Sequence, residues 1–143
     1  MMPQVKQVPS IQNIVGNETE KQVAELFHKY EYWAFVIPKK IGGQPFDIIA
    51  SREKDTWFVD AKHLEASKAS FPFDRIEANQ ITSMNYAYKF ANITENLGFA
   101  IKWDRTDTIY FLSYKYFCEL KSQGKKSIKM DYLIELECRI RGW

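Results

Sequence analysis

Apolar and polar positions along this chain change period from segment to segment. From Asn17 to about Tyr30 the apolar residues Val23, Ala24, Phe27 and Tyr30 recur at three- and four-residue steps. That spacing predicts an amphipathic helix with Asn17 as its cap. Trp33 to Ile37 is a short aromatic and β-branched run ended by Pro38, which predicts a strand. Lys39 to Gln44 holds paired glycines and reads as a turn. Two more strands are predicted at Phe46 to Ser51 and Thr56 to Lys62, joined by the charged turn Arg52-Glu53-Lys54-Asp55.

His63 to Asp74, broken by Pro72, reads as a loop. Ile76, Met84, Ala87 and Tyr88 keep helical spacing and predict a second helix from near Arg75 to Phe90. Phe99 to Trp103 and Thr108 to Ser113 read as strands joined by the turn Asp104-Arg105-Thr106-Asp107. A short helix, Tyr114 to Leu120, then leads into a basic loop, Lys121 to Lys129, and a helical or irregular end, Met130 to Trp143. The order α-β-β-β-α-β-β-α predicts an α/β fold with a single mixed sheet flanked by helices. Residues 1–16 are polar and read as a flexible N-terminal arm on a single domain spanning 1–143.

Composition narrows the class. The 45% hydrophobic and 15% aromatic content is enough for a packed core and argues against disorder. No apolar run approaches the ~20 residues of a membrane span, and the start lacks an apolar signal region. Cys118 and Cys138 stand too far apart to suggest a disulfide framework or zinc knuckle, so a reducing, cytoplasmic setting is expected. A net charge of +2 does not decide for or against nucleic acid, which leaves local clustering to do so.

The stretch with the most chemical content is Asp60-Ala61-Lys62 at the end of a predicted strand. Strand alternation puts Asp60 and Lys62 on one face and Ala61 on the other. Asp47 stands at the start of the preceding strand. Asp47, Asp60 and the main-chain carbonyl of Ala61 offer the oxygen set that a hard cation takes. Lys62 can polarise a water or steady a phosphate beside it. An acid on one strand and acid-x-Lys on the next resembles the metal-dependent nucleases of the PD-(D/E)XK type. The plainer readings are a strand-end carboxylate for Asp47 and a surface ion pair for Asp60 and Lys62. The apolar strands around them favour the site.

Two helical residues join this set. Glu20 falls on the apolar side of the first helix, where it either turns inward toward a metal or closes a capping box with Asn17. From the helix alone, the cap is the better reading. Gln80 lies on the apolar stripe of the second helix, where a buried amide needs partners.

Four stretches in order resemble the RecU-type Holliday-junction resolvases of Gram-positive bacteria and their phages. They are Gly16-x-x-x-Glu20 through Lys29-Tyr30, then Asp47 with Asp60-Ala61-Lys62, then Ser70-Phe71-Pro72-Phe73 through Asn79-Gln80-Ile81-x-x-Met84, and last Gly124-Lys125-Lys126-Ser127-Ile128. The resemblance implies a restriction-endonuclease-like fold and a homodimeric, magnesium-dependent enzyme that nicks four-way DNA junctions in recombination and repair. Mn²⁺ is an expected substitute for Mg²⁺. It places the active site on Glu20, Asp47, Asp60 and Lys62, with Gln80 close by. Two features depart from the family. Asp60 stands where a glutamate is usual. The place of the family's long projecting stalk holds only the turn from Lys39 to Pro45, as in a stalk-less, phage-like variant.

Basic residues expected to meet DNA phosphates are Lys39, Lys40, His63, Lys68 and Arg75, with a second cluster at Lys125 and Lys126 between Lys121 and Lys129. Trp33, Trp57 and Trp103 are expected in the core, and both cysteines as small core residues. Other readings are a nickase, a flap or branched-DNA nuclease of lower selectivity, and a DNA-binding module with a degenerate site.

Overall fold

The computed structural model describes residues 17–38, 46–91 and 93–142. The predicted arm 1–16 and the turn carrying Lys39 and Lys40 lie outside them. The elements are α1 (Glu18–Lys29), β1 (Trp33–Val36), β2 (Ile48–Arg52), β3 (Asp55–Leu64), β4 (Ser70–Pro72), α2 (Ala78–Phe90), β5 (Leu97–Trp103), β6 (Thr108–Ser113), α3 (Tyr114–Ser122), β7 (Ser127–Lys129), β8 (Ile134–Glu135) and α4 (Leu136–Arg141). Short 3₁₀ turns occupy Phe73–Arg75 and Met130–Tyr132. Six strands form one sheet in the order β1-β2-β3-β5-β6-β8. Only β3 and β5 run parallel, so the sheet is mixed, as the element order predicts.

The sheet separates two cores. On one face, Val23, Ala24 and Phe27 of α1 and Leu136 and Ile140 of α4 pack against Ala34, Val36, Ile48, Ala50, Trp57 and Val59. On the other, Met84 and Ala87 of α2 and Phe117 and Leu120 of α3 pack against Leu64, Phe99, Ile101 and Leu112. β5 is buried along its whole length between these layers. Its buried ammonium, Lys102, bonds to Gln22 Oε1 at 3.1 Å and to Asp107 Oδ1 at 2.9 Å. The β2–β3 hairpin is pinned at its outer end by Asp55. That carboxylate accepts bonds from the Tyr32 hydroxyl, Trp57 Nε1 (3.2 Å) and Asn96 Nδ2 (2.6 Å). Among the described residues no helix is long and apolar enough to cross a membrane.

Several expectations need correction. The segment 63–74 is not one loop, because β3 continues to Leu64 and Ser70–Pro72 forms β4. Its partner is β7, inside the stretch expected to be a basic loop, with Phe71 opposite Ile128. Three-residue strands have no readable period, and their pairing spans more than fifty positions, so local pattern misses both. The end of the chain is a turn, a short strand and a helix in succession. Trp57 and Trp103 are buried, but Trp33 sits on the edge strand and is 42% exposed. Cys118 is exposed as well.

Gly98 shows how tightly β5 and β6 are joined. A Cβ there would meet Leu112 O at 2.3 Å and Ser113 Cα at 2.8 Å. Those are main-chain atoms of the neighbouring strand, which no rotamer change can move. Gly98→Ala is expected to destabilise the protein by about 3 kcal/mol, the upper part of the range for overpacked cores. Urea unfolding should show a lowered midpoint at unchanged slope. Gly124→Ala faces open space at φ +82° and should lose only about 1 kcal/mol.

Candidate active site

The regular β2–β3 ladder ends with Ile48 opposite Val59. Beyond it, side chains continue the pairing. Asp47 N donates to Asp60 Oδ1 at 3.1 Å, and Ala61 N donates to Asp47 Oδ2 at 2.9 Å. Each strand thus supplies a carboxylate to the main chain of the other. Asp47 also ties in β1, since Ile37 N donates to Asp47 O at 2.8 Å. Both acids are buried, Asp60 almost completely. Asp47 N is shared between Asp60 Oδ1 and the Val59 carbonyl, 3.2 Å away, while Asp47 Oδ2 gives Ala61 N an acceptor where the regular ladder has ended.

Alternation along β3 sends Trp57, Val59 and Ala61 toward α1, and Phe58, Asp60, Lys62 and Leu64 toward α2. Lys62 Nζ donates to Gln80 Oε1 at 2.8 Å. The same oxygen accepts from Glu77 N at 3.0 Å at the start of α2. Gln80 therefore ties the ammonium to the first turn of that helix. Burial holds the Lys62 ammonium below the usual lysine range and is the largest influence on it. The charges of Asp60, Asp47 and Glu77 oppose that shift, while Arg75 adds to it. Glu77 and Arg75 thus belong to the electrostatics of this site. Glu77 escaped the sequence reading, although its spacing to Gln80 is that of a helix-start pair.

Glu20 is buried at the start of α1, where it closes a capping box. Its Oε1 accepts from Asn17 N at 3.2 Å and its Oε2 from Asn17 Nδ2 at 3.4 Å, while Asn17 Oδ1 accepts from Glu20 N at 2.8 Å. Among the described residues no group of three or more His, Cys, Asp or Glu is placed to hold a metal ion. The structure brings together Asp47, Asp60, Ala61, Lys62 and Gln80, and shows Glu20 in a capping box at the start of α1. The oxygen set still suits a hard cation. Two adjacent carboxylates are buried with a cation beside them, and a carboxylate has about four acceptor sites, so one main-chain bond does not exhaust it.

The basic residues fall into a pattern that sequence order hides. His63, Leu64, Glu65, Lys68, Pro72 and Arg75 line an open groove of about 410 Å³. His63 is exposed and pairs with Asp104 at 2.8 Å. The β4–β7 pairing brings the main chain of the second cluster close to a segment that lines this groove: Phe73 N donates to Lys126 O at 2.9 Å, between Pro72 and Arg75. Lys125 and Lys126 are exposed and lie just before β7.

No protein-family profile matches the chain, and no curated protein does. Among solved structures, the chain is similar to Hjc of Archaeoglobus fulgidus, a Holliday junction resolvase from an archaeal hyperthermophile. The TM-score is 0.64 at 17% identity, over 89% of this chain and 100% of that one. The likeness shows a shared restriction-endonuclease-like fold, a mixed sheet flanked by helices.

Glu20 offers a test of the capping geometry. Glu20→Ala removes the acceptor for the Asn17 main chain and is expected to lower stability by about 1 kcal/mol. Glu20→Gln keeps an acceptor oxygen and should lose less. Denaturant midpoints of the two variants, compared at equal slope, check the order.

Proposed function

We propose that this protein is a metal-dependent, structure-selective DNA endonuclease that resolves four-way junctions, of the RecU-like kind. The observation that carries the reading is the reciprocal Asp47–Asp60 pairing with Lys62 beside it, set in a fold shared with a protein described as a Holliday junction resolvase. Asp47, Asp60 and the carbonyl of Ala61 would hold the cation, Mg²⁺ or Mn²⁺. When bound, that cation would supply a Lewis acid and a water of lowered pKa. Lys62, fixed by Gln80, faces the side where a scissile phosphate would lie and opposes the negative charge that builds on its oxygens. Lys68, Arg75, Lys125 and Lys126 would neutralise backbone phosphates along the groove, joined by His63 at its rim. Lys39 and Lys40 would extend that surface. Resolution needs two symmetric nicks, which a two-fold homodimer supplies.

One observation favours a second reading, a DNA-binding module with a weakened site. Glu20 closes a capping box, and among the described residues no group of three or more His, Cys, Asp or Glu is placed to hold a metal ion. A gel assay separates the two readings. Labelled four-way junction, flap and duplex are incubated with and without magnesium. Junction cutting that depends on magnesium supports the nuclease, and tight junction binding without cutting supports the module.

Asp60→Asn and Lys62→Ala are each expected to slow junction cleavage by ~10²–10⁴ while leaving junction affinity within a few-fold. Near wild-type cutting by either variant would remove these residues from the site. Binding should weaken steeply with salt, with a log–log slope of about −0.9 per phosphate contacted. The double change Lys68→Ala and Arg75→Ala should flatten that slope by about 2 in a salt series followed by fluorescence anisotropy.

A further inference from the structure

The sheet face that carries Asp60 and Lys62 continues past the acid pair to the edge strand. Alternation from the core assignments puts Ile37, Phe35 and Trp33 of the β1 segment on this face, next to Asp47, Ile49 and Ser51. Phe35 lies opposite Ile49, and Trp33 opposite Ser51. Their rings are parallel, 2° apart in plane, with centroids 5.9 Å apart. Both are open to solvent, Trp33 at 42% and Phe35 at 39%. Packing explains the buried aromatic residues of the sheet, but not a flat pair left half-exposed on an edge strand.

We infer that Trp33 and Phe35 form a stacking platform for unpaired nucleobases at a DNA branch point, next to the phosphate site. The inference rests on the nuclease reading for its class of ligand. Ile37 is level with Asp47 through their main-chain bond. Two residues of strand therefore separate Phe35 from the acid pair, about 7 Å, and four separate Trp33, about 13 Å. That span matches a few stacked nucleotides at ~3.4 Å each.

Charge fits the same occupant. Lys62 and Arg75 stand near the acid pair, where phosphates would lie. Between the acid pair and the rings the face carries Ile49, Ser51, Thr56 and Phe58, with no acid to repel a polyanion. Area argues against a second protein copy as occupant. Two aromatic side chains that are two-fifths exposed offer on the order of 150 Å². A stable protein interface needs ~800 Å² from each partner. A base or two needs no more than the rings provide, and every base has a face to stack.

The test uses the full chain without divalent cation, so that binding is read without cutting. Fluorescence anisotropy measures affinity for a four-way junction with unpaired thymines at its branch and for a fully paired duplex of equal length. The double change Trp33→Ala and Phe35→Ala is expected to weaken binding to the thymine junction about tenfold or more and leave duplex binding within twofold. The change Trp33→Phe and Phe35→Tyr, which keeps two ring faces, should restore the preference. Quenching of tryptophan emission by the thymine junction should occur in wild type and shrink in Trp33→Phe, a readout independent of whether the alanine variant folds well. Equal loss on both DNAs, or no loss, would overturn the platform while leaving the nuclease reading intact. Light scattering that shows a dimer becoming a monomer, with both affinities falling together, would overturn it in favour of a protein contact. Wild type that binds neither DNA would overturn this inference and the proposed function at once.

Discussion

The fold turns on two buried carboxylates held side by side where β2 and β3 stop pairing. Moving a charged group out of water costs several kcal/mol unless something nearby compensates. Asp47 and Asp60 are compensated in two ways. Each accepts a main-chain N–H from the opposite strand, and Lys62 faces them from the same side of β3. Removing Asp47 would take from Ala61 N–H its carboxylate acceptor, and removing Asp60 would leave Asp47 N–H only its bond to Val59 O, so the pair has a structural duty whatever chemistry it performs.

The rest of the molecule serves to keep that corner rigid and half-open. Asp55 locks the far end of the β2–β3 hairpin to Tyr32, Trp57 and Asn96, which fixes the register that sets Asp60 against Asp47. The parallel β3–β5 pairing places β3 beside a strand buried along its length. One core packs α1 against the face away from the acids, and the other brings α2 close enough for Gln80 to hold Lys62. Shape and charge then follow from topology. The β4–β7 pair draws Lys126 to the vicinity of Arg75, and the groove beside it carries Lys68 and Arg75 along with Glu65.

Much of this was legible in the sequence, for physical reasons. The helix α1, the β2–β3 hairpin and the placing of Asp60 and Lys62 on one face come from period and turn chemistry, which are local. The capping box of Asn17 and Glu20 was readable for the same reason, as the alternative to an inward-facing Glu20. What escaped depends on distant partners. β4 and β7 each have three residues and exist only through each other. Trp33 reads as core from its composition, yet its strand is an edge, and edges are settled by sheet order. Glu77 acts on Lys62 from another element, so only the assembled site reveals it.

The central claim is that Asp47 and Asp60 form a cation site. Its most direct test is a crystal structure with Mn²⁺, with the ion located by anomalous scattering. The account predicts a peak bonded to carboxylate oxygens of both Asp47 and Asp60, beside Lys62, and its loss in Asp60→Asn. A crystal saturated with Mn²⁺ that shows no ion at this pair, or an ion bound elsewhere with the Asp47–Asp60 bonds unchanged, would contradict it.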